Sequence, residues 1–135
     1  MLRLFRVLYA VTAWAFLIGL LGQVFLIGLY LFSDPSAVAT HRELGWILHL
    51  SPLLVLLFAA LSRAGKRHWQ WALALAVVVM VVPILPGLRG SVPVVAALHP
   101  VLAVIAVVLA AVVARNSLAA LRMGDAPAQA PVPGT

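Results

Sequence analysis

Four histidines are the residues of this chain best suited to chemistry, and their spacing gives them different roles. His49 and His99 each lie within a long apolar run and each is followed closely by a proline, Pro52 and Pro100. A neutral imidazole is a nitrogen ligand for a metal and a proton acceptor near neutral pH. In a hydrocarbon layer it is costly without a partner, so an ionisable residue at that depth points to a site. Gly45 precedes His49 by one turn on nearly the same helical face, where the missing side chain would admit a flat ring. His41 stands one turn before Gly45 and reads either as an interfacial residue at a helix start or as a site residue that caps a bound group or binds a second metal. His68, between Arg67 and Trp69, reads as a solvated loop residue. With no cysteine, thiolate metal sites, iron–sulfur clusters, disulfides and covalent c-type haem attachment are excluded. The only acids are Asp34, Glu43 and Asp125, so neither a Ser-His-Asp set nor paired carboxylates exist and this inventory does not support hydrolytic chemistry.

The elements that must hold these residues are membrane spans. Of the 135 residues, 65% are hydrophobic and only 9% charged, with a mean hydropathy of +1.17, which excludes a water-soluble globule. At about 20 apolar residues per crossing the length allows four spans. The first runs from Val7 to Phe32 and stops at Ser33-Asp34-Pro35-Ser36, a turn cluster. The second runs from Leu44 to Leu61, after a Thr40-x-x-Glu43 spacing that suggests a capping box. The third extends from Trp69 to about Leu85, broken by Pro83 and Pro86, with Gly87 to Gly90 as a turn. The fourth runs from about Val92 to Val113 and extends as an amphipathic end to Arg122. Residues 1–123 thus form one four-span domain, and 124–135, rich in Ala and Pro, read as a disordered tail. The first run is about 26 residues, too long for the 7–15-residue core of a cleaved signal peptide.

The net charge of +6 does not imply nucleic acid, because the basic residues stand at span ends. Arg3, Arg6, Arg63, Lys66, Arg67, Arg115 and Arg122 fall on one side, and only Arg42 and Arg89 on the other. By the positive-inside rule both termini are cytoplasmic. Short connections make successive helices antiparallel neighbours, so the expected fold is an all-α up-down-up-down bundle with spans two and four on a diagonal.

On that diagonal the two depths match. His49 lies eight residues beyond His41, roughly 12 Å deeper, and His99 is about seven residues inside the same boundary, roughly 10 Å. Two neutral imidazoles at one depth suit the two axial positions of a b-type haem slotted along the bundle axis. Its propionates would point outward to Arg42 and Arg89, the only fixed positive charges there. Pro100 and Pro52 free the carbonyls of Ala96 and Leu48, and either carbonyl, or Ser51, is a candidate to orient an imidazole N–H. Two other readings fit the pair: an interhelical contact, between the rings or with Gln23, and another metal or a proton path. Gln23 itself reads as an interhelical hydrogen-bond donor, and Met1, Met80 and Met123 are poorly placed as axial ligands.

The segment from His41 to His49, the apolar run to Arg63 and the later Leu98-His99-Pro100 resemble a family of small bacterial four-span membrane proteins of unknown function. The resemblance covers about residues 7 to 115, with His41, Gly45 and His99-Pro100 as its characteristic points. The plan is also similar to a half-unit of haem A synthase and to cytochrome b561-type proteins, in which paired histidines on bundle helices hold haem b. Haem A synthase half-units carry Glu-x-x-His-Arg, whereas here Glu43 follows His41-Arg42, so no catalytic carboxylate is carried over. The expectation is a haem b protein of a bacterial inner membrane, in electron transfer or as a subunit of a redox complex or oligomer, with His49 and His99 as metal ligands. A quinone or a redox protein would be its partner, besides the bilayer. The rival expectation is a non-catalytic subunit whose histidines tie helices together or contact lipid or quinone.

Overall fold

A computed structural model describes residues 1–123, and the expected tail at 124–135 lies outside the described residues. Four helical spans account for nearly all of them: Leu2–Phe32, Ala37–Leu61, Lys66–Gly90 and Pro93–Arg122, of 31, 25, 25 and 30 residues. No strand occurs among the described residues. Even 25 residues reach roughly 37 Å as an α-helix, more than the ~30 Å of a hydrocarbon core.

Only the first span is one unbroken helix, α1 (Leu2–Phe32), and it alone contains no proline. The second divides into α2 (Ala37–His49) and α3 (Ser51–Leu61) at Leu50, two residues before Pro52. The third begins as α4 (Lys66–Val81) and continues to Gly90 as a 3-10 segment, Val82–Gly90, containing Pro83 and Pro86. The fourth starts with the single turn α5 (Pro93–Ala96) and resumes as α6 (His99–Arg122), with Pro100 at its second position. A proline removes an N–H and crowds the preceding turn, which accounts for all three interruptions. Gly87 to Gly90, expected as a free turn, therefore belong to the third span.

The turn after span one is as expected, but α2 begins at Ala37, three residues before Thr40, so Thr40 and Glu43 form no capping box. Asp34 organises this start instead: its Oδ1 accepts from the backbone N–H of Ser36 at 2.9 Å and the Ser36 hydroxyl at 2.7 Å. Those bonds favour the ionised carboxyl and lower its pKa from the usual value. The connection between spans two and three is equally tight, with Arg63 at φ 50° and Gly65 at φ 109°. Glycine suits the second position because L side chains rarely adopt that conformation.

Spans one and two, two and three, three and four, and four and one pack side by side, leaving one–three and two–four as diagonals. The half of the bundle nearest the termini is solid. Tyr9, Ala13 and Phe16 of α1 meet Val55 and Ala59 of α3, Leu75 and Val79 of α4, and Ala106, Ala110 and Val113 of α6. Alanines at the helix contacts let backbones approach closely, the usual means of association where lipid offers no hydrophobic gain. The Tyr9 hydroxyl donates across this core to the Val113 carbonyl over a long 3.4 Å. Outward-facing Ile18, Phe25, Val104 and Val108 leave an apolar exterior suited to acyl chains. The other half, where the three proline interruptions fall, is hollow.

Candidate functional site

The hollow is a half-open cavity of about 630 Å³, within the 300–1,000 Å³ typical of small-molecule sites. His41, Arg42, Gly45 and His49 line it from α2, Arg89 from the 3-10 segment, and His99 from the start of α6. All six residues expected to hold a cofactor therefore border one space. The interruptions explain how they come to do so. Irregular backbone is tolerated at membrane depth only where protein or a cavity covers it, and here the end of α2, the 3-10 segment after α4 and the start of α6 all border the same hollow.

His99 is the best-fixed of the three rings. Its Nδ1 lies 2.9 Å from the Val82 carbonyl. A carbonyl only accepts, so Nδ1 carries the proton and Nε2 keeps its lone pair. The anchor differs from the expected one: it is Val82 on span three, and neither Ala96 nor Leu48. In a 3-10 segment a carbonyl pairs with the N–H three residues on, here Leu85, and the second lone pair of the Val82 oxygen serves the imidazole. His41 is fixed in the same way, Nδ1–H donating to the Gln23 carbonyl at 3.3 Å, which ties α2 to α1. His49 stands apart, with a buried Nδ1 that has no partner and a ring packed edge-on against Trp46, centroids 5.9 Å apart at 86°. Ser51 does not orient it, because its hydroxyl donates to the Ile47 carbonyl at 3.0 Å.

Gln23 departs most from expectation. It is 9% exposed, and neither amide atom has a partner, so it is no interhelical donor. Its side chain lies beside Gly45, where an added Cβ would come 3.4 Å from Nε2. Tyr30 and Trp46 also line the cavity, and nothing in their sequence setting distinguished them from ordinary interfacial aromatics. Met80 does not border the cavity. His68 is not a loop residue: it stands in the first turns of α4, half-buried, its ring edge-on to Tyr9 with centroids 6.1 Å apart.

Among the described residues no three His, Cys, Asp or Glu side chains gather around a point that would hold a bare metal ion. Two imidazoles remain sufficient for an iron whose equatorial nitrogens come from a macrocycle. Among the described residues no carboxylate borders the cavity, while Arg42 and Arg89 do, so the described wall is positive.

Residues 23–88 match a family of unknown function, DUF6220. The matched stretch is just under half the chain and includes Gln23, His41, Arg42, Gly45, His49 and Val82, but ends before Arg89 and His99. No curated protein and no solved structure matches the chain. Similarity therefore lends nothing to the likeness with haem-binding bundles, and a cofactor reading rests on the cavity.

Proposed function

We propose that this chain is a membrane haem b protein, with His49 and His99 as axial ligands, acting in electron transfer alone or within a redox complex. The observation that carries the reading is the meeting of His49, His99, Gly45, Arg42 and Arg89 on one cavity in the bundle. A bound haem would supply a one-electron couple inside the membrane. His99 would ligate through Nε2, its Nδ1–H held by Val82 as metal-ligating histidines are normally held by an outer partner. His49 would be its counterpart across the bundle diagonal, and Gly45 keeps the wall open one turn away. Arg42 and Arg89 would neutralise the carboxylates of the group. The excess of basic residues at the other end favours cytoplasmic termini and a bacterial inner membrane. Absorption spectroscopy of the purified chain tests this: a Soret band and a sharp reduced α-band support it, and a folded, haem-supplied protein without them refutes it.

One pair of contacts favours the rival reading, a non-catalytic subunit. His41 to Gln23 and His99 to Val82 each join two neighbouring spans. Histidines serving only as such ties would leave the cavity to lipid, a quinone or a partner protein, and the same spectrum separates the two.

A further inference from the structure

Gln23 buries a complete amide, two donor hydrogens and a carbonyl oxygen, with no partner for either end. Such a group is costly in a protein interior and more so at membrane depth, where water is scarce. Its position is not accidental slack. The Gln23 carbonyl is held by His41 Nδ1–H, which fixes the backbone of α1 against α2, and the side chain lies beside Gly45 on the cavity wall. The glycine leaves room for the amide and for whatever meets it. Arg42, Arg89 and Tyr30 add further donors to the same wall, and among the described residues no acid borders it.

We propose that Gln23 contacts the ligand directly, donating its amide N–H to a carboxylate whose charge Arg42 and Arg89 balance. This rests on the tetrapyrrole reading and narrows it to free acids: the cavity selects a macrocycle with ionised carboxylates over the same ring with those groups masked. A guanidinium pair supplies the charge, and the amide supplies a neutral, short-range contact that depends on where the carboxylate sits. Gln23 is then a specificity residue of the site, where the sequence suggests only a link between helices.

The test uses the full chain in detergent and metal-free protoporphyrin IX, which needs no axial ligand, beside its dimethyl ester. Binding is followed by quenching of tryptophan fluorescence, since Trp46 borders the cavity. The free acid is expected to bind at least tenfold more tightly than the ester. Gln23→Leu is expected to weaken the free acid about tenfold, equivalent to about 1.4 kcal/mol, and the ester clearly less, because an ester carbonyl is a weaker acceptor than a carboxylate. Leucine removes an unpaired buried amide, so the variant should fold. Should it not, Gln23→Glu is nearly isosteric and sets carboxylate against carboxylate, with a larger loss for the free acid alone. Equal binding of acid and ester by the parent protein overturns the proposal while leaving the tetrapyrrole reading in place, and so does an equal loss for both ligands in Gln23→Leu. Failure of the parent protein to bind either porphyrin overturns both.

Discussion

Replacing Gly45 by leucine puts an isobutyl group on the wall that the proposed macrocycle must pass. The first carbon is nearly free of cost: a Cβ meets only the Gln23 amide nitrogen, at 3.4 Å, and the far end of that side chain gives by tenths of an ångström. Gly45→Ala should therefore keep its cofactor and gain up to about 1 kcal/mol from helix propensity. The remaining three carbons of leucine extend from a residue that lines the cavity and take up space there. Bulk that a site cannot relax around costs about 1–3 kcal/mol, or about five- to 150-fold in affinity. The haem account thus expects a series: alanine folded and loaded, leucine folded and largely empty. The assay is the haem-to-protein absorbance ratio of each purified variant, with circular dichroism and thermal melting reporting the fold. A folded Gly45→Leu protein with full haem content would refute the slot beside Gly45, and with it the pairing of His49 and His99 around one ring.

Other expectations follow from the same geometry. His49→Ala and His99→Ala should each abolish the low-spin bis-histidine spectrum, whereas His68→Ala, at the far end of the bundle against Tyr9, should leave it unchanged. Because the chain lacks cysteine, Ser33→Cys and Arg63→Cys can be labelled singly with a membrane-impermeant maleimide in intact cells. Ser33→Cys should react and Arg63→Cys should not, and the reverse pattern would invert the proposed orientation.

The number of spans, their order and the turn at Ser33–Ser36 were legible because each depends on composition or local chain chemistry. So was the bordering of one cavity by both His49 and His99, which rests on counting residues along helices. Helix starts were less so: Thr40 and Glu43 have capping-box spacing, but Asp34 and Ser36 start α2 earlier through a turn the spacing does not encode. Pro83 and Pro86 announced a break and left its form open, since a proline-rich segment can leave a helix or tighten into a 3-10 coil, as it does here. The idle amide of Gln23 and the burial of His68 against Tyr9 depend on contacts between distant spans, which no local pattern carries. The anchor of His99 lies 17 residues away, on Val82, for the same reason.

A haem held in this cavity would take its iron ligands from His49 and His99. Low-temperature electron paramagnetic resonance of the oxidised, haem-supplied full chain addresses this ligation most directly, because spin state reports the two axial ligands together. Ligation by both histidines should give a low-spin ferric signal in the parent protein and a high-spin signal in His99→Ala. A high-spin parent signal, or a low-spin signal that survives both His49→Ala and His99→Ala, would contradict it.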